Sequence, residues 1–139
     1  MGLDNYPKPY PCVVLEKAGK LKVVRAKNGI IDCDATNCPF KRLKKIIGLF
    51  GTYCWIRGKV YEQYVEELCN GYTLYEDMDR TTLENLLEEL KSHYGNVEAD
   101  EEAIANALHG VSLGAFNLIK YLETLLSIKE WDGVLVAWY

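Results

Sequence analysis

The side chains with the most chemical capacity in this chain are five cysteines, Cys12, Cys33, Cys38, Cys54 and Cys69. Four of them fall in the first 60 residues. Cys12, Cys33, Cys38 and Cys54 have the donor set of a four-thiolate zinc site, which needs four soft ligands in a tetrahedron. The spacing supports this only weakly. Cys33 and Cys38 are near in sequence, the others are isolated, and no Cys-x-x-Cys occurs. The plainer account is that Cys12 and Cys54 are core residues, since a free cysteine behaves as a small hydrophobe. An odd count argues against a secreted disulfide framework. If any pair is linked, Cys33 with Cys38 is the nearest. A reactive thiol at Cys33, Cys38 or Cys54 would instead mark a small thiol-dependent enzyme or redox protein, a reading that requires one thiol ionised near neutral pH. No motif demands a cofactor, and zinc is the one that the thiols would suit.

Other catalytic patterns are thinner. Gly110-Val111-Ser112-Leu113-Gly114 has the G-x-S-x-G form, with His109 before it. A hydrolase serine stands on a tight turn between a strand and a helix. Here the preceding segment reads as helix, so Gly110 ending one helix and Ser112 capping the next explains the pattern. Asp77-x-Asp79-x-Thr81 has Glu88 further on but lacks the glycine of a calcium loop. Carboxylates at the positive end of a helix account for Asp77 and Asp79. His93 and His109 each fall near an expected helix end. These features lean against an enzyme.

Charge is the stronger signal. Residues 1–60 hold 12 Lys and Arg against 4 Asp and Glu, a net of +8, whereas residues 61–139 hold 4 against 16, a net of −12. The overall −4 hides two oppositely charged halves. Lys41, Arg42, Lys44 and Lys45, with Lys20, Lys22, Arg25 and Lys27, could track an anionic partner, and Tyr10, Tyr53 and Trp55 could stack on bases. A pI near 5.2 weighs against nucleic acid. The expectation is a non-enzymatic binding or adaptor protein with a bipolar surface. Its partner would be a charged protein or a second copy, with a metal-stabilised nucleic-acid module over residues 20–45 as the alternative. No apolar run reaches the roughly 18 residues of a membrane span. The opening residues do not read as a secretory signal, so a cytoplasmic protein is expected.

These groups must be positioned by a single domain over 1–139, basic and β-rich to residue 60, then acidic and helical. Cys12 to Lys17, Lys20 to Ala26 and Ile30 to Cys33 read as a three-stranded meander, with Asn28-Gly29 as its hairpin turn. Arg42 to Phe50 reads as a basic amphipathic helix and Thr52 to Arg57 as a strand. Val60 to Cys69 shows a helical apolar stripe ended by Asn70-Gly71. Thr81 with Glu84 has the form of a capping box before Leu83, Leu86, Leu87 and Leu90. Asp100 opens a helix carrying Ile104, Ala107, Leu108 and Val111. Leu113 to Ile128 is apolar over most of its circumference, which predicts the most buried helix. The terminal Gly133 to Tyr139 is a strand that most simply joins the N-terminal sheet. The fold class expected is α+β: a small antiparallel sheet packed by four or five helices.

Overall fold

The last strand of the chain lies against the first. A computed structural model describes residues 2–43, 49–50, 53–94 and 113–139. In it, β1 (Asp4–Lys8) pairs antiparallel with β5 (Val134–Trp138) over its whole length, from Asp4 opposite Trp138 to Lys8 opposite Val134. Three two-residue strands complete the sheet: β2 (Leu49–Phe50), β3 (Trp55–Ile56) and β4 (Met78–Asp79). The order is β2-β3-β1-β5-β4, antiparallel throughout. The helices are α1 (Pro11–Lys17), α2 (Gly58–Leu68), α3 (Arg80–Tyr94) and α4 (Leu113–Leu126), with a 3-10 turn at Pro39–Leu43. The chain is an α+β protein, as its sequence implies.

The periodicity of α4 shows why it is the central helix. Ala115, Phe116, Leu118, Ile119, Tyr121, Leu122, Thr124 and Leu125 are all buried, more than one helical stripe can hold. From α3, Leu83, Leu86 and Leu90 join the same core at helical spacing, with Tyr61 and Val65 from α2. Leu3, Ile56, Met78 and Leu135 bring the sheet into that cluster, so both charged halves share one core. Among the described residues no helix is long and apolar enough to cross a membrane.

The N-terminal strands are not those that the sequence suggests. Cys12 to Lys17 is helical, because Pro11 at the first helical turn presets the backbone, and Pro11, Cys12 and Leu15 then bury one face. The β-branched Val13-Val14 pair misleads here, since strand propensity yields to packing. Between Lys20 and Cys33 the expected meander shrinks to one bridge, Arg25 opposite Ile31. The turn at Asn28-Gly29 does form, with Gly29 at φ +83°. The return strand stops because the Asp32 carboxylate takes the N–H groups of Asp34 and Ala35 for itself. In their place β1 supplies the N-terminal strand, although Asp-Asn-Tyr-Pro-Lys has little β character. Among the described residues β3 pairs with β1 only at Asn5. At Pro7 the strand has a neighbour on one side only among the described residues, a setting in which strands accept proline.

Two further corrections concern the middle of the chain. Leu49-Phe50 is strand, not the end of a basic helix, and Pro39 starts a 3-10 turn that carries Lys41 and Arg42. The cap of α3 is Asp79, whose carboxylate accepts the Thr82 N–H at 2.8 Å, and not Thr81. That bond holds the Asp79 carboxyl below its ordinary range. The helix expected over residues 101–111, with His109, and the cap at Ser112 lie outside the described residues.

A buried amide ties β1 to β5 and to the loop that follows α2. Asn5 is fully buried, and its Nδ2 donates to the carbonyls of Leu74 at 2.9 Å and Val136 at 3.3 Å. A Cβ on residue 58 would run into its Oδ1, which explains why α2 opens on glycine. Glu62 on α2 holds the same loop: it accepts the Leu74 N–H at 2.8 Å and the Thr73 hydroxyl at 3.1 Å. Burial raises the Glu62 carboxyl above its usual range in spite of those bonds.

Candidate functional site

Four of the five cysteines belong to the basic half, and burial raises the thiols of Cys12, Cys33, Cys38 and Cys69 above their ordinary range. All five are buried and unlinked. Cys12, Cys33 and Cys38 are mutual electrostatic neighbours, so α1, the Asp32–Ala35 turn and the approach to the 3-10 turn do bring three thiols together. Burial first, and then the repulsion of Cys38, push the Cys12 and Cys33 thiols up to about 11. Cys38 moves the same way, and burial pushes Cys69 up to about 11. Cys54 stands beside Tyr121, whose hydroxyl donates to its carbonyl. Among the described residues no group of three or more His, Cys, Asp or Glu side chains is arranged to hold a metal ion.

These thiols should make stability fall as the pH becomes alkaline. The unfolded chain ionises its cysteines from about pH 8.5, whereas Cys12 and Cys33 in the folded chain hold their protons to about 11. Their contribution is complete below the first value and is lost as pH rises through the second. The urea midpoint should therefore decline across that window. An unchanged midpoint up to pH 11 would contradict the buried, protonated state.

The open basic surface is a groove of about 710 Å³ beside this cluster. Two separate elements supply its cations: the turn after α1 gives Lys20, and the 3-10 turn gives Lys41 and Arg42, with the turn that follows α4 completing the lining. Asn37 and Ser127 add polar groups, and Leu15, Pro39 and Ile128 form an apolar base on which the Cys38 side chain also borders. Lys20 is paired with Glu130, the one acidic residue among the described residues of the lining. Lys41 donates to the Asp34 carbonyl. Arg42 is exposed and has no ion-pair partner among the described residues. It also borders a second hollow of about 250 Å³ that is lined by Lys120, Glu123 and Thr124, so Arg42 is shared by the two.

The other expected binding residues are placed differently. The hydroxyl of Tyr53 donates to Asp34, and its backbone has φ +59° in the turn before β3. Trp55 stacks on Tyr6 with ring centroids 4.2 Å apart and donates its indole N–H to the Tyr10 hydroxyl at 3.1 Å. Tyr6 thus covers one face of that indole. Neither Tyr53 nor Trp55 lines the basic groove. Lys44 and Lys45 lie outside the described residues. Asn37, Ser127 and Lys120 are additions that no motif marks. Only their nearness to Lys41 and Arg42 in space reveals them.

The geometry defines a small α+β chain with an open cationic groove and a buried, protonated thiol cluster behind it. No protein-family model, no curated protein and no solved structure matches the chain.

Proposed function

We propose that this chain is a non-enzymatic binding protein that takes an acidic protein segment in the groove of Lys20, Lys41 and Arg42. The observation that carries the reading is the gathering of these cations from separate elements into one hollow with Asn37 and Ser127. Arg25 pairs with Glu16 and Arg57 with Asp4 inside the basic half, and Lys20 pairs with Glu130 of the acidic half, which leaves Lys41 and Arg42 as the groove cations without an ion-pair partner among the described residues. A protein partner suits the groove better than nucleic acid. Glu130 and Glu123 border the two hollows, and a net charge of −4 repels any long polyanion beyond them. Short carboxylate segments make local contacts and escape that field.

A labelled oligoglutamate peptide and a single-stranded oligonucleotide of equal charge test this by fluorescence anisotropy. The peptide should bind at low ionic strength and weaken steeply toward physiological salt, where the screening length is about 8 Å. Reversing two charges, Lys41→Glu with Arg42→Glu, should reduce that binding at least tenfold with little change in thermal midpoint. Tighter capture of the oligonucleotide would replace the acidic protein with a nucleic acid. Binding of neither probe at low salt would remove the function.

A further inference from the structure

The described residues have five large apolar side chains that are well exposed: Val24, Ile30, Tyr75, Trp138 and Tyr139. Three of them, all aromatic, line one groove. It has a volume of about 470 Å³, lies where the end of β5 faces the approach to β4, and is completed by Glu76, Asp77 and Ala137. Trp138 is 62% exposed and Tyr139 68%. The rings of Tyr75 and Tyr139 meet edge to face, with centroids 5.5 Å apart and planes at 70°, so they form a corner rather than a flat patch.

The carboxylates give the corner its character. Asp77 Oδ1 accepts the Ala137 N–H at 2.8 Å, which fixes the group against the strand edge beyond the reach of β4. Neither Glu76 nor Asp77 has an ion-pair partner among the described residues. Aromatic faces carry the negative part of the ring quadrupole and attract cations within about 6 Å. Apolar walls of that sign, beside two carboxylates without counter-charges, complement a cation that has methylene or methyl shoulders.

We propose that this groove binds the alkylammonium group of a lysine side chain on a partner protein, with Trp138, Tyr139 and Tyr75 as walls and Glu76 and Asp77 as counter-charges. Lysine fits better than a bare metal ion, because an ion without apolar surface would leave the apolar contact offered by the aromatic walls unused. The site is separate from the cationic groove and opposite in sign. The chain then has two recognition sites, one for each charge.

The test follows the indole and amide resonances of the intact chain in NMR. The probes are N-acetyl-lysine methylamide, its trimethylated form, the uncharged norleucine analogue and spermidine. Both lysine probes should shift the Trp138 indole and Ala137 amide saturably, in the millimolar range usual for one such contact. Norleucine should bind at least tenfold more weakly. Glu76→Gln with Asp77→Asn keeps an oxygen for the Ala137 N–H and should weaken both lysine probes about tenfold. Trp138→Ala should abolish the shifts. Equal binding of norleucine would make the groove merely apolar, and no shift with any probe would remove the site. Spermidine binding far more tightly than either lysine probe would replace the protein side chain with a free polyamine. Concentration-dependent shifts of these resonances without any probe would replace it with a second copy of the chain.

Discussion

Trp131→Ala is expected to lower the unfolding free energy by about 3–5 kcal/mol, the range for deleting a large aromatic side chain from a core. Trp131 is fully buried between α4 and β5 in sequence, and its indole N–H donates to the Pro9 carbonyl at 2.8 Å. That single bond ties the connection after β1 to the connection before β5. The two chain segments run so close that a Cβ on Gly133 would run into the Lys8 carbonyl. They cannot collapse further to fill the space that the indole leaves. Trp131→Phe retains most of the apolar volume and should cost less, about 1–3 kcal/mol, for the carbonyl left without its donor. Denaturant titrations with unchanged slopes give the comparison. An alanine variant within 1 kcal/mol of the parent would show that the sheet closes without this residue. A typical domain has only about 5–15 kcal/mol in total, so this substitution alone would bring the chain close to unfolding.

Much of the helical half is legible because its signals are periodic and local. The apolar stripes of α2 and α3 and the all-round apolar surface of α4 each state what they bury. The joining of β5 to the N-terminal region follows from the cost of leaving a strand such as Val-Leu-Val-Ala-Trp unpaired. The errors fall where local preference and tertiary context disagree. Val13-Val14 favours a strand but sits behind a proline that starts a helix. Asn5 and Pro7 disfavour a strand, yet β5 and the buried amide bonds of Asn5 make one. The site is legible in the same uneven way. Lys41 and Arg42 are visible as a basic run, but Lys20 and Ser127 reach them only through the fold. The cysteines show the reverse: three do converge, and their burial keeps them protonated, which composition cannot reveal. The aromatic corner was hidden because Tyr75 and Tyr139 are 64 positions apart.

Arg80 is the clearest case of a residue whose role contradicts its position. As the first residue of α3 it stands at the positive end of that helix, where a cation is unfavourable. Its side chain leaves α3 for the far end of α4. There Nη2 donates to the Leu126 carbonyl at 2.6 Å, and Nη1 donates to the carbonyls of Ile128, at 2.9 Å, and Trp131. The last turn of α4 has no basic residue of its own. Its terminal carbonyls, which a helix cannot satisfy internally, therefore receive both donors and positive charge from another helix. Arg80→Ala should cost about 2–4 kcal/mol, since hydrogen bonds to a charged partner are each worth roughly 1.5–3 kcal/mol and do not add fully. Arg80→Lys should recover only part of this, because a single ammonium cannot span three carbonyls as a planar fork does. The remaining bond, Nε to Glu84 at 2.9 Å, is an exposed i,i+4 pair, so Glu84→Ala should cost only a few tenths of a kcal/mol. Chemical unfolding of the three variants separates the contributions. If Arg80→Ala were no worse than Glu84→Ala, the guanidinium would be a surface charge and α4 would end without it. If the order is Ala, then Lys, then the Glu84 variant, the end of the most buried helix is held from α3, and the turn that carries Ser127 and Ile128 into the cationic groove is held with it.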